Sequence, residues 1–166
     1  FISHNWRRRI RIKRKKYFNK LLKKKYSINW GDLVHDIMAR IRTKDDIEII
    51  LDKMQIEEKY GSQTLRRIHS EIERIITDKK VEHLFNENLK MFSENSILSL
   101  SGDVYRPDRV IIHKGNLVSL IDYKTGEEHK SHQHQIEKYE SILLQLGYKK
   151  INKYLIYLTT GIIKKI

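Results

Sequence analysis

The chain has 166 residues, which is enough for one domain with a hydrophobic core. It contains no cysteine, which excludes disulfides, thiolate zinc sites and cysteine-bound iron–sulfur clusters and fits a cytoplasmic location. No apolar run reaches the roughly 18 residues that span a bilayer, and no secretory signal pattern is present, so we expect no membrane partner. The first residue is Phe1 rather than Met, which indicates a piece of a longer protein.

The net charge of +13 is concentrated at the N-terminus. Residues 1–25 carry twelve Lys and Arg and no acid, whereas the rest carries 22 basic and 21 acidic residues. We therefore predict a basic connector or arm over residues 1–28 and one domain over residues 29–166. A basic block attracts nucleic-acid phosphates, but a solvated helix face or a linker accounts for it equally well.

The first half of the domain, residues 29–90, is predicted to be helical because its apolar residues recur at helical spacing. Thr43-Lys44-Asp45-Asp46 resembles a capping box, which opens a second helix that ends before Gly61. The predicted helices are 31–41, 43–60, one marked by Leu65, Ile68, Ile72, Ile75 and Ile76, and a short fourth over 81–89.

From about Met91 the pattern changes to short β-branched runs, which predict a sheet over residues 91–166. The predicted strands are 96–100, 104–112, 117–123, 154–159 and 162–166, and Lys114-Gly115-Asn116 predicts a hairpin turn between the second and the third. Residues 132–146 predict an amphipathic helix with Ile136, Tyr139, Leu143 and Leu146 inward. This order is typical of an α/β fold with a mixed sheet and a crossover helix.

The hairpin brings Asp108 close to Asp122 and Lys124, and the last two share a strand face because they are two residues apart. Two acids that share a divalent cation beside an ammonium group suit metal-assisted phosphodiester hydrolysis. Other interpretations remain open. Asp108 could form a surface ion pair with Arg106 or Arg109, and Asp122 and Lys124 could be an ordinary edge-strand pair. Charges directly after an apolar run are costly to bury without a partner, which favours the metal.

Three segments resemble the PD-(D/E)xK nuclease superfamily: Pro107-Asp108, Asp122-Tyr123-Lys124-Thr125-Gly126 and Gln135-x-x-x-Tyr139. The resemblance runs from about residue 31 to residue 158. It is strongest to the RecB/AddA-like nuclease domain at the C-terminus of UvrD/Rep-type helicases, whose Gly-x-x-x-His element matches Gly31 to His35. It implies a restriction-endonuclease-like mixed sheet flanked by helices, preceded by the helical half.

The resemblance also implies roles at the matching positions. His35, Asp108 and Asp122 would bind Mg²⁺ or Mn²⁺, with the Tyr123 backbone carbonyl as a further ligand, and the imidazole favours Mn²⁺ somewhat. Lys124 would orient the attacking water and stabilise the negative charge on the phosphate. Gln135 and Tyr139, on the helix that faces this lysine, would line the site. Glu94 corresponds, less closely, to an acidic residue that often precedes the first core strand in the family.

The implied activity is that of a metal-dependent DNA nuclease, the exonuclease module of an ATP-dependent helicase–nuclease in DNA repair. Its partners would be DNA and a helicase motor upstream of Phe1 on the same polypeptide, since this chain has no P-loop signature. A nuclease-fold DNA-binding module without catalysis and a stand-alone endonuclease remain alternatives. His129, His132 and His134 could contact DNA or a metal, although a polar loop that leads into the helix is the simpler interpretation.

Overall fold

The computed structural model describes residues 29–58, 60–99 and 102–166, and the predicted arm over residues 1–28 lies outside them. The described residues form the helices α1 Trp30–Arg40, α2 Asp46–Ile56, α3 Ser62–Ile76 and α4 Lys130–Gln145. Their strands are β1 Lys90–Ser93, β2 Ile97–Leu98, β3 Val104–Tyr105, β4 Arg109–Ile112, β5 Leu117–Lys124, β6 Lys150–Tyr157 and β7 Ile162–Lys165. Among these helices we find none with the length and apolarity to traverse a lipid bilayer.

Helices α1, α2 and α3 confirm that the first half of the domain is helical. The apolar residues that predict the third helix are all buried in one core. At the start of α2, the Asp46 carboxylate accepts the backbone N–H groups of Arg42 at 2.7 Å and Thr43 at 2.8 Å. Asp46 is thus one half of the predicted capping box. Its carboxylate accepts backbone N–H groups that the start of a helix leaves without partners.

The predicted fourth helix over residues 81–89 is wrong. The chain forms only a short 3₁₀ turn, Glu82–Leu84, before it enters β1. The Asn86 side chain accepts the Asn88 backbone N–H at 2.9 Å, and such a local side-chain bond competes with the helical hydrogen bond. The buried side chains of Leu84 and Phe85 supply apolar spacing without enough residues for a stable helix.

The main sheet has the order β1-β4-β5-β6-β7, with β5 and β6 parallel and the other neighbours antiparallel. This confirms the predicted mixed α/β fold, with α4 as the crossover between the two parallel strands. The hairpin between β4 and β5 is confirmed as well. Its turn places Gly115 and Asn116 at φ values of 75° and 61°, which glycine and asparagine tolerate best.

The predicted strand 104–112 is broken in two. Residues Val104–Tyr105 pair with Ile97–Leu98 in a separate two-stranded ribbon, and β4 begins only at Arg109. Pro107, in the break, has no N–H to donate to a neighbouring strand. The predicted first strand 96–100 contributes only to this ribbon, so the first strand of the main sheet is β1, and it precedes Glu94 instead of following it.

The two faces of the sheet carry separate cores. Along β5, Val118 and Leu120 pack toward α4, whereas Ile121 and Tyr123 pack toward the three N-terminal helices. The inward positions of α4 are confirmed at Ile136, Tyr139 and Leu143 and wrong at Leu146, which is 51% exposed. Helix α4 ends at Gln145, and the chain turns at Gly147 with a φ of 94°, so Leu146 lies beyond the buried stripe.

Candidate functional site

Three strand ends meet at one edge of the main sheet. Because β4 is antiparallel to both β1 and β5, the end of β1, the start of β4 and the end of β5 lie together. Glu94 directly follows β1, Asp108 directly precedes β4, and Asp122 lies two residues before the end of β5. The Glu94 N–H donates to the Asp108 carbonyl oxygen at 3.0 Å, so these two residues are direct neighbours across the strand pair.

Helix α1 brings His35 to this edge. A Cβ atom on Gly31 would lie 3.1 Å from the Thr125 hydroxyl, so the glycine allows the first turn of α1 to approach the segment that follows β5. One turn later, the Nδ1 atom of His35 lies 3.3 Å from Asp108 Oδ1 and 3.8 Å from Glu94 Oε1. The Gly-x-x-x-His spacing thus has a physical basis, since its two residues lie one turn apart on the helix.

His35, Glu94 and Asp108 form a candidate metal centre. Each offers one ligand atom, these atoms lie within 4.8 Å of one another, and all three side chains are partly buried. The other Asp108 oxygen, Oδ2, accepts the Tyr123 N–H at 2.6 Å, which orients the carboxylate. One imidazole and two carboxylates are a donor set that fits Mn²⁺ and, with more oxygen ligands, Mg²⁺.

The electrostatics of this edge favour a bound cation. Burial and the neighbouring Asp108 raise the pKa of Glu94, and they raise the pKa of Asp122 to about 6. The hydrogen bond to Asp108 raises the pKa of His35. Crowded, half-desolvated acids hold protons more tightly, and a divalent cation stabilises their ionised forms instead.

Asp122 lies next to the three-residue cluster without belonging to it. Its side chain is almost fully buried, and Lys124 Nζ lies 2.7 Å from its Oδ2 atom. Lys124 is therefore the cation that compensates the buried Asp122 carboxylate.

A hydrogen-bonded chain fixes the lysine. Lys124 Nζ donates to Gln135 Oε1 at 2.9 Å, and Gln135 Nε2 donates to the Tyr139 hydroxyl at 2.9 Å. The Tyr139 hydroxyl donates to the Arg106 carbonyl oxygen at 3.4 Å. Gln135 and Tyr139 lie one turn apart on α4, so one helix face holds the ammonium group at the end of β5.

Tyr123 can contribute only its backbone to this site. Its side chain is 1% exposed on the opposite face of the sheet, and burial raises the pKa of its hydroxyl to about 12. The other predicted site residues are brought to the same edge of the sheet: His35, Asp108, Asp122, Lys124, Gln135 and Tyr139. The roles of all these residues, including the Tyr123 carbonyl as a ligand, remain predictions.

Glu94 is more central than the sequence indicated. The sequence predicts it before the first core strand, whereas it follows β1 and belongs to the candidate metal centre. The missing signal was the short strand Lys90–Ser93, whose apolar pair Met91 and Phe92 is too brief to distinguish from a loop.

Arg109 supports the site from within the core. Its side chain is 0% exposed, and its Nη2 atom donates to the carbonyl oxygens of Met38 at 2.5 Å and Ile41 at 2.6 Å, where α1 ends. The guanidinium also lies 4.7 Å from the ring centre of Phe85 and 5.8 Å from that of Tyr123. The surface ion pair considered for Arg109 is therefore wrong, and the residue instead connects α1 to the strands beside Asp108 and Asp122.

The family model of the PD-(D/E)XK nuclease superfamily matches residues 3–148 of the chain, a range that includes every residue of the candidate site. No curated protein matches the chain.

Proposed function

Since the chain belongs to the PD-(D/E)XK nuclease superfamily, a family of metal-dependent nucleases, we propose that it hydrolyses DNA phosphodiester bonds with Mg²⁺ or Mn²⁺. The observation that carries the proposal is the cluster of His35, Glu94 and Asp108, whose ligand atoms lie within 4.8 Å of one another, next to a lysine held in place. A metal-ligand set and a positioned ammonium group are the two components that phosphodiester hydrolysis needs.

Residues of the candidate site are assigned roles in this hydrolysis. His35, Asp108 and Asp122 would hold the cation, with Glu94 and the Tyr123 carbonyl as further ligands. A bound divalent cation lowers the pKa of its water and neutralises charge on the phosphate. Two contacts support the assignment of the lysine: Asp122 and Gln135 fix Lys124, which orients the attacking water and stabilises the charge that develops on the phosphate oxygens.

The finer proposal is an exonuclease module of an ATP-dependent helicase–nuclease in DNA repair. It is supported by the resemblance of Asp122 to Gly126, with the downstream Gln135-x-x-x-Tyr139, to nuclease domains of UvrD/Rep-type helicases. The motor would then lie on the same polypeptide, and the basic residues 1–25 would contact the DNA that it delivers.

The test compares linear and covalently closed circular DNA in Mg²⁺, Mn²⁺ and EDTA. We expect degradation of linear DNA in the presence of either metal and none in EDTA. Lys124→Ala should lower the rate at least about a hundredfold, since loss of one transition-state charge donor typically has this effect. Lys153→Ala is the matched control, because Lys153 is a half-buried lysine paired at 2.5 Å with Glu140, away from the site.

Each outcome has a defined meaning. Equal cleavage by the Lys124→Ala and Lys153→Ala proteins would contradict the assigned role of Lys124. Cleavage of circular DNA would favour the stand-alone endonuclease over the exonuclease. DNA binding without cleavage in either metal would favour the catalytically silent module.

A further inference from the structure

His132 and Tyr157 lie beside the catalytic lysine but take no part in the proposed chemistry. Tyr157 pairs in register with Lys124 on the neighbouring parallel strand, so the two side chains point to the same face of the sheet, about 4.8 Å apart at the backbone. The Nδ1 atom of His132 lies 3.1 Å from the Tyr157 hydroxyl. His132 precedes Gln135 by three residues on α4, so it extends the helix face that holds Lys124.

The contact with Tyr157 fixes the orientation of the His132 ring. Burial, followed by the charge of Lys124, lowers the pKa of His132, which favours the neutral imidazole. When the Tyr157 hydroxyl donates to Nδ1, the ring hydrogen is on Nε2, which can donate to an anionic oxygen. Burial raises the pKa of Tyr157, which keeps its hydroxyl protonated for this bond.

Beyond Tyr157, a cavity of about 210 Å³ continues the same face. Its polar lining includes His129, Lys130 and Lys164, and the His129 ring centre lies 6.0 Å from that of His132. Lys164 is paired with Glu128, so among the described residues the exposed Lys130 is the lysine of the lining without an ion pair. The volume is below the roughly 300–1,000 Å³ of most small-molecule sites, which favours one charged group of a longer chain over a whole cofactor.

We propose that His132, Tyr157, His129 and Lys130 form a phosphate-binding subsite for the DNA strand. It would hold the phosphate next to the one that Lys124 faces, through Nε2 of His132 and the ammonium group of Lys130. The proposal rests on the proposed nuclease function and adds the path of the substrate beyond the scissile bond. Contacts to phosphates position a strand without reading its sequence, so the subsite supports sequence-independent cleavage.

A metal site is the other interpretation of a histidine pair. Glu128, the carboxylate that lines this cavity, is engaged by Lys164, and within the described ranges the metal-ligand grouping found is that of His35, Glu94 and Asp108. With Nδ1 accepting from the Tyr157 hydroxyl and a hydrogen on Nε2, His132 presents a donor, which suits an oxyanion.

The experiment compares His132→Ala with His134→Ala, a matched control on the same helix whose exposed ring is hydrogen-bonded to the Lys130 carbonyl. Two substrates are used with Mn²⁺: a single-stranded oligonucleotide and the p-nitrophenyl ester of thymidine 5′-monophosphate, which has one phosphodiester and no second phosphate. His132→Ala should raise KM for the oligonucleotide about tenfold, the usual cost of a hydrogen bond to a charged group, with kcat little changed. With the small ester, the two variants should differ less than twofold.

Tyr157→Phe provides a second variant that keeps the buried ring and removes only the hydroxyl. It should raise KM for the oligonucleotide about threefold, because the imidazole loses its orienting bond without losing its donor. Equal KM values for His132→Ala and His134→Ala would overturn the proposal. An equal loss of kcat on both substrates would also overturn it, because His132 would then act through Gln135 and Lys124.

Failure of the nuclease proposal is distinguishable from failure of the subsite. If the wild-type protein cleaves neither substrate, binding of the oligonucleotide in EDTA, measured by fluorescence anisotropy, still tests the subsite. Weaker binding by His132→Ala than by His134→Ala supports it, and equal binding overturns it.

Discussion

Asp122 lies in an environment very different from that of a surface carboxylate. Its side chain is 1% exposed, with Asp108 nearby and Lys124 as its cation, and burial raises its pKa to about 6. The ion pair only partly offsets the cost of burial. At the scale of single residues, the ionised form of the buried Asp122 is therefore unfavourable in the metal-free protein, and a bound cation would stabilise it.

This charge predicts how the stability of the metal-free protein depends on pH. The pKa of Asp122 is higher in the folded than in the unfolded chain, so folding takes up a proton, and the free energy of unfolding falls as pH rises from about 4 to 6. The raised pKa of His35 extends the fall above pH 6.5. Asp122→Asn should reduce the fall between pH 4 and 6 by roughly 3 kcal/mol, at about 1.4 kcal/mol per pKa unit.

Urea unfolding in EDTA at several pH values measures this effect. Asp52→Asn, which changes an exposed carboxylate on α2, is the control and should retain the pH dependence of the wild-type protein. An equally steep fall in Asp122→Asn would contradict the assignment.

At the scale of elements, helix α1 is held against the sheet at both of its ends. Gly31 allows its first turn to approach Thr125, and Arg109 donates to the last carbonyl groups at Met38 and Ile41. A buried guanidinium is costly, but two carbonyl acceptors and two aromatic rings offset part of that cost. The position of His35 therefore depends on contacts to strands more than sixty residues away.

Replacement of the buried guanidinium should shift α1 and weaken metal binding. Arg109→Met keeps the length of the side chain but leaves two helix-end carbonyls without donors. We expect the free energy of unfolding to fall by about 1–3 kcal/mol, the usual cost of buried groups left without partners. Affinity for Mn²⁺, measured by calorimetry, should fall about tenfold or more, as it does when groups that orient metal ligands are lost.

Arg42→Met is the matched control for this change. Arg42 also donates to two carbonyl oxygens, those of Glu87 at 3.3 Å and Leu89 at 3.1 Å, but it is exposed and outside the site. Its replacement should leave Mn²⁺ affinity unchanged. Equal Mn²⁺ affinities in the two variants would show that Arg109 does not position His35.

At the scale of the whole molecule, the charge is divided unequally along the chain. Residues 1–25 carry twelve of the 34 basic residues and no acid, so the remainder is close to neutral. The family match begins at residue 3, so it includes this basic segment. That the segment forms a separate arm remains a prediction. Its positive charge predicts a measurable effect on DNA binding.

Removal of residues 1–25 should weaken DNA binding and flatten its dependence on salt. Each phosphate neutralised contributes about 0.7 to the slope of log K against log salt for single strands, because bound cations are released. Anisotropy titrations in EDTA at several KCl concentrations measure the slope. A variant with the order of residues 1–25 shuffled keeps the charge and should keep the slope, and an unchanged slope after deletion would identify a linker.

Local periodicity made much of the fold predictable. Helical spacing identified α1, α2, α3 and α4, and an apolar run after a Gly-Asn turn identified the hairpin of β4 and β5. The candidate residues Asp122 and Lys124, and likewise Gln135 and Tyr139, lie at spacings of two and four that repeat within one element. Such patterns depend only on residues that are close in sequence, so they can be recognised without knowing the fold.

The sequence by itself determined the α/β class, the hairpin with its two acids and lysine, and the helix face opposite them. Only the tertiary structure placed Glu94 in the candidate metal centre, buried Arg109 beneath α1 and brought His132 into contact with Tyr157 beside Lys124. Each of these contacts joins elements that are distant in sequence, and it depends on which strands pair and in what register. Strand pairing is decided by the packing of the whole sheet, because a short strand such as β1 carries too little local signal to reveal its partner.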